Sequence, residues 1–118
     1  MDLRLEKKRV RTDKWYSVGY SPVLEKYVMS VAVEWIAVYN RYYFISEDEY
    51  LLSFTEPEKL DTLADSLYKA VNKSDRFICS EKAAENTPAQ NDLCEELLKD
   101  KNNYYKKYPD SVWDFERF

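Results

Sequence analysis

Carboxylates dominate the stretch from residue 47 to residue 65. Glu47, Asp48, Glu49, Glu56, Glu58, Asp61 and Asp65 stand there against one base, Lys59. Catalysis by paired carboxylates, by Lys or by Tyr is chemically open, yet no spacing in the chain singles out such a site. Binding suits these acids better. Glu58, Asp61 and Asp65 are three and four residues apart, which on a helix places them in one stripe opposite a row of leucines. Unneutralised carboxylates on one rigid face imitate a row of phosphates, and they steer and hold a basic cleft such as a nuclease active site. The plainer reading is a solvated helix face: acids in a first turn complement the helix dipole, and Asp65 can pair with Lys69.

The chain contains no His. Ser–His and Cys–His nucleophile activation, imidazole proton shuttling near neutral pH and imidazole–zinc sites are therefore excluded. No cofactor or metal site is expected, and the sequence points away from an enzyme. Aromatic residues form the second candidate surface. Tyr39, Tyr42, Tyr43, Phe44 and Tyr50 crowd one region, and Trp113, Phe115 and Phe118 lie near the C-terminal end. Tyr and Trp combine large area with a polar handle and are favoured at binding hot spots, although a small core uses them equally well. Tyr42 and Tyr43 are the expected contact residues of this group. The third candidate is basic. Arg4, Lys7, Lys8, Arg9, Arg11 and Lys14 face only Asp2, Glu6 and Asp13, beside Trp15 and Tyr16. Bases interleaved with aromatics suit single-stranded nucleic acid. Six bases broken by three acids, in a chain of formal charge −4, make a weak footprint for that partner.

These side chains need elements to hold them. Leu3, Leu5 and Val10 suit an edge strand with charged outward positions. Trp15 to Tyr20 alternates as a strand does, and Ser21-Pro22 marks a turn or a helix start. The run 22–39 is ambiguous. Val23, Leu24, Tyr27, Val28, Val31, Ala32, Trp35, Ile36 and Tyr39 fit a helical stripe. The β-branched Val28, Val31, Val33, Ile36 and Val38 instead suit a strand over 26–39 buried on both faces, and that reading is preferred. Tyr39-Asn40-Arg41 then turns the chain into a third strand, Tyr42 to Ser46. Ser46 with Glu49 is a capping-box pattern opening a short helix to Phe54. Thr55 and Pro57 open a second helix to about Asn72, with Leu60, Leu63, Ala64, Leu67 and Val71 as its apolar stripe. Arg76 to Ser80 reads as a short strand and Glu81 to Gln90 as a loop. Asn91 or Asp92 starts a last helix, with Leu93, Cys94, Leu97 and Leu98 inward, ending near Tyr108-Pro109. The fold class is α+β, an antiparallel sheet from the N-terminal half packed against helices from the C-terminal half, with residues 1–118 as one domain.

Composition agrees with a globular chain. Apolar residues make up 45% and charged ones 34%, an ordinary mix rather than a disordered one. A single Gly disfavours phosphate-cradling loops. No apolar run approaches a membrane span and no cationic-then-apolar leader is present. Cys79 and Cys94 are too few for a disulfide framework and too far apart for a ligand pair, so both are expected reduced, in the cytoplasm.

Lys14-Trp15-Tyr16-Ser17-Val18-Gly19-Tyr20, the apolar run to Trp35-Ile36-Ala37-Val38-Tyr39, and Tyr42-Tyr43-Phe44-Ile45-Ser46-Glu47-Asp48-Glu49-Tyr50 together resemble small bacterial immunity proteins. These neutralise toxins of contact-dependent growth inhibition and related polymorphic systems. The resemblance covers residues 14 to 54. It implies a cytoplasmic antidote that binds one cognate toxin domain, often a nuclease, without catalysis. It carries over no binding residues. The alternative expectation is a different protein-binding adaptor module, with a nucleic-acid-binding domain ranked behind it.

Overall fold

The computed structural model describes residues 3–118; Asp2, counted above among the N-terminal acids, lies outside them. The order along the chain is β1 (Glu6–Arg11), β2 (Tyr16–Ser21), β3 (Lys26–Glu34), β4 (Val38–Ile45), α1 (Glu47–Thr55), α2 (Pro57–Ala70), β5 (Phe77–Ser80), α3 (Pro88–Lys107) and β6 (Glu116–Arg117). The strands form one sheet in the order β5-β4-β3-β2-β1-β6. All pairs are antiparallel except β1 with β6. The architecture is α+β, as the sequence pattern predicts.

Successive side chains on a strand point to opposite faces. One face presents Tyr16, Val18, Met29, Val31, Tyr43, Ile45 and Phe77 to Tyr50 of α1 and to Leu60, Ala64 and Leu67 of α2. The other presents Val28, Tyr42, Ile78 and Cys79 to Cys94 and Leu97 of α3 and to Leu3 and Leu5. Helices cover both faces. That explains the run of apolar residues from Tyr27 to Val33 in β3, interrupted only by the buried Ser30, since a strand buried twice has no polar side to alternate with.

Two irregularities shape the sheet. Tyr42 pairs with Cys79 and Tyr43 with Phe77, so Ile78 is the extra residue of a bulge. The bulge lets both Ile78 and Cys79 join the core under α3. At the other side, β1 bulges between Glu6 and Arg9, with Lys7 at φ 53°. Gly19 lies beneath it. A Cβ there would sit 2.9 Å from the Leu5 Cβ and 3.0 Å from the Glu6 carbonyl oxygen, so the close approach of β1 requires the chain's one glycine.

Several boundaries differ from expectation. The strand expected over 26–39 ends at Glu34, the chain turns through Trp35, Ile36 and Ala37, and β4 begins at Val38. The residues expected to turn, Tyr39-Asn40-Arg41, are instead strand residues paired with β3. The apolar run crosses a hairpin tip, which hydrophobicity alone cannot reveal. The last helix begins at Pro88, where Thr87 and Gln90 form a second capping box, and so takes up part of the expected loop. Ser46 and Glu49 form the expected box on α1. The cap of α2 is Glu56 rather than Thr55, with no side-chain bond. Leu63 is only half-buried, whereas Leu60 exposes nothing. Leu60→Ala should therefore cost about 2–5 kcal/mol of stability and Leu63→Ala distinctly less, read from urea midpoints. Equal losses would place both leucines in the core.

Candidate functional site

The β3–β4 turn forms one end of the sheet, and it is apolar where it meets water. Ile36 is 87% exposed and Trp35 59%, with Val38 exposed beside them. Trp15 joins this end from the start of β2. It adopts the left-handed region at φ 58°, its carbonyl accepts the Ala32 amide at 3.0 Å, and its ring stands half in solvent. A bulky residue in that region is strained, so neighbouring structure must hold it. Tyr68 of α2, also exposed, completes the group. Between Trp15 and Tyr68 opens a cleft of about 410 Å³ whose wall includes Lys14, Glu34, Asp61 and Asp65.

A buried ion pair fixes this end from behind. The Glu85 carboxylate accepts hydrogen bonds from Arg41 Nε at 2.9 Å and Nη2 at 2.7 Å, from Tyr39 OH at 3.0 Å and from Ser80 Oγ at 2.7 Å. Arg41 also donates to the Tyr68 carbonyl, and its guanidinium lies 5.7 Å from the rings of both Tyr39 and Tyr68. Tyr39 meets Trp35 edge-to-face at 6.5 Å, and Lys82 Nζ sits 4.0 Å over the Trp35 ring. The aromatic surface is thus pinned to β4, β5 and α2 by polar bonds out of solvent.

The expected acidic stripe divides. Glu58 and Asp65 are exposed, and Asp65 pairs with Lys69 at 2.8 Å. Asp61 turns inward. It accepts from Arg11 Nε at 3.1 Å, from Arg11 Nη2 at 3.2 Å and from Tyr16 OH at 2.7 Å. Desolvation opposes its charge, but the bonds from Arg11 and Tyr16 outweigh it and hold the carboxyl below its ordinary range. Asp61 is thus the α2 anchor of the β1 edge. Glu34, on β3, replaces it as an exposed acid at the cleft.

Tyr42 and Tyr43 require correction as contact residues. Both expose 0% of their surface, Tyr42 under α3 and Tyr43 under α2. Consecutive strand residues enter opposite cores when both faces are covered, so the pair packs the interior. Tyr43 OH donates towards the Leu67 and Val71 carbonyls at the end of α2. The C-terminal aromatics also divide: Phe118 packs edge-on to Tyr16 at 5.9 Å, whereas Trp113 stays in solvent. Trp113, Leu51 and Phe54 border a separate cleft of about 750 Å³ near the start of β3.

The perturbed carboxyls Glu49, Asp61 and Glu85 all shift downward, each against its own desolvation, through bonds from Arg76, Arg11 and Arg41 respectively. That is the signature of structural ion pairs; a general acid needs the opposite shift. Among the described residues, no group of three or more Asp, Glu or Cys side chains could hold a metal ion, and no helix is long and apolar enough to cross a membrane. The chain matches no protein-family model, no curated protein and no solved structure.

Glu85 predicts a pH dependence. Its carboxyl falls from an ordinary 4.5 to about 2: burial opposes the charge, and bonds from Arg41, Ser80 and Tyr39 prevail. A depressed folded-state pKa stabilises the fold fully above the unfolded value and loses that effect as pH drops from 4.5 towards 2. Glu85→Gln should cost about 3–5 kcal/mol at neutral pH, because Arg41 stays buried without its counter-charge. The variant should also lose stability less steeply than wild type on acidification. Urea midpoints at pH 7 and pH 3 check both; parallel pH profiles would show that Glu85 is not the group titrating.

Proposed function

We propose that this chain is an immunity protein, a stoichiometric antidote that binds one cognate toxin domain, a nuclease among the candidates, and neutralises it without catalysis. The observation that carries the binding half of this reading is the exposed Trp35–Ile36–Val38 tip, braced by Arg41 and Glu85. Large apolar side chains in water are costly to leave uncovered, and a hairpin held by a buried ion pair loses little further entropy on docking. Glu34 beside the tip, in a chain of net charge −4, complements a basic partner, while Asp65 is already paired with Lys69. The toxin half rests on the resemblance of residues 14–54 to small bacterial immunity proteins. The antidote works in the cytoplasm, needs no cofactor or metal, and contacts neither membrane nor nucleic acid.

A protein-binding adaptor is the second reading, favoured by the separate cleft at Leu51, Phe54 and Trp113. An adaptor bridging two proteins would use both ends, whereas an antidote needs one.

The test is co-purification with the protein encoded immediately upstream, followed by calorimetry on variants. Trp35→Ala and Ile36→Asp should each weaken binding about 30-fold or more, the range of a central hot spot. Glu34→Gln should slow association and flatten its salt dependence while leaving the fold intact, because that acid is exposed. Asp65→Asn, whose charge Lys69 offsets, should change association less. Leu51→Ala and Trp113→Ala should change little. Losses confined to Leu51 and Trp113 would move the interface to the other cleft, and losses at both ends would support the adaptor.

A further inference from the structure

The sheet face under α3 is not filled evenly. Along β3 its side chains run Val28, Ser30, Ala32 towards the hairpin tip, and the apolar core there stops at Val28 and Tyr42. Ser17 of β2 pairs with Ser30, and Ala32 pairs with Asn40 of β4, so small and polar side chains continue the face beyond that core. They leave a hollow of about 370 Å³, lined by Ser17, Ser30 and Ala32 together with Val10, Asn40 and Trp15. Two polar groups of this lining have nothing to bond. Ser30 is 2% exposed, and among the described residues its hydroxyl has no hydrogen-bond partner. The Asn40 backbone bonds Glu81 through both its amide and its carbonyl, but its side-chain amide has no partner among the described residues. Ser30 lies opposite Tyr42 and Asn40 is two residues from Tyr42, so the two free groups form a diagonal pair about 7 Å apart.

We propose that this hollow binds a small, neutral, flat heteroaromatic molecule that offers a donor and an acceptor on one edge, the chemistry of a free nucleobase. Charge selects the neutral form. No carboxylate among the described residues lines the hollow, so nothing there holds a cation. Of its two bases, Arg11 is bonded to Asp61, and the Lys8 ammonium sits 5.8 Å over the Phe115 ring. Shape selects the ring. Trp15 supplies an aromatic wall, Val10 and Ala32 supply apolar contact, and the volume lies at the small end of ligand pockets, enough for one or two fused rings. Hydrogen bonding selects the edge. The Asn40 amide presents a donor and an acceptor in one plane, the pairing by which such side chains read an adenine edge. Ser30 adds a hydroxyl from the neighbouring strand, and a buried hydroxyl without a partner is a cost that a bound ligand removes.

The inference is independent of the immunity reading, and its test involves no toxin. Amide shifts of the isotope-labelled chain are followed by nuclear magnetic resonance as adenine or N,N-dimethyladenine is added. Adenine should move the Ser17, Ser30, Ala32 and Asn40 amides and the Trp15 indole N–H, saturating with a Kd of about 1 mM, ordinary for a ligand of roughly ten heavy atoms. N,N-dimethyladenine keeps the rings but blocks the edge, and should bind about 10-fold more weakly. Asn40→Ala should weaken adenine binding by a similar factor. Ser30→Ala should weaken it about 5-fold without lowering the urea midpoint, because the hydroxyl bonds nothing in the free protein. Ala32→Leu, which fills the hollow, should abolish binding. Shifts that never saturate, equal binding of the two compounds, or shifts centred on Asp65 and Tyr68 would overturn the proposal. So would a single-stranded oligoadenylate that occupies the hollow where free adenine does not, since the ligand would then be a nucleic acid. Where a variant fails to fold by near-ultraviolet circular dichroism, the contrast between the two compounds on wild type decides alone.

Discussion

The Glu85 carboxylate accepts four hydrogen bonds from Arg41, Tyr39 and Ser80, and the shape of one end of the molecule follows from that. β4 supplies two of these donors and β5 the third, while Arg41 reaches on to the Tyr68 carbonyl of α2. One anion therefore ties two strands and a helix at the edge of the α1/α2-facing core. A buried pair of this kind adds little net stability against an apolar substitute, since desolvation offsets most of the attraction. Its value is positional. Removing either partner leaves a charge in the interior, so the arrangement resists drift, and the Tyr39 and Trp35 rings inherit that rigidity.

The surface in front of the pair reverses the usual economy of a small domain. Tyr42 and Tyr43, at the middle of β4, are wholly inside, while Trp35, Ile36 and Val38 at the tip stand in water. The strained Trp15 backbone points the same way, because left-handed φ at a bulky residue survives only where surrounding structure enforces it. Acids flank this patch without filling it. The ion pairs at Arg11–Asp61 and Arg41–Glu85 consume the inward carboxylates, while Glu34 and the Asp65–Lys69 pair stay outside.

Much of this was legible in the residues. The Ser46–Glu49 pair marked the start of α1, and Leu60, Ala64 and Leu67 marked the buried face of α2. The Thr87–Gln90 box carried the same signal for α3, which the local polarity of residues 81–90 masked. Strand type in β3 was decided by β-branching rather than period, because a doubly covered strand shows no alternation. The turn at Trp35–Ala37 left no mark, since it contains no Gly, Pro, Asn or Asp and its residues are as apolar as the strand before it. The residues expected at the surface were only partly placed by the sequence. Charge spacing put Asp65 on the exposed face of α2 and allowed its pairing with Lys69, but could not show that Asp61 belongs to Arg11 and Tyr16. Arg41 and Glu85 are 44 residues apart, and no local pattern joins them.

The account stands on the β3–β4 tip being the face a partner covers. Hydrogen–deuterium exchange of the chain alone and with the upstream-encoded protein measures this directly. The account predicts new protection across residues 33–38, at residues 14–16 and around Tyr68, with residues 50–54 and 113–115 unchanged. Protection centred on Leu51, Phe54 and Trp113, with the tip exchanging as freely as before, would contradict it.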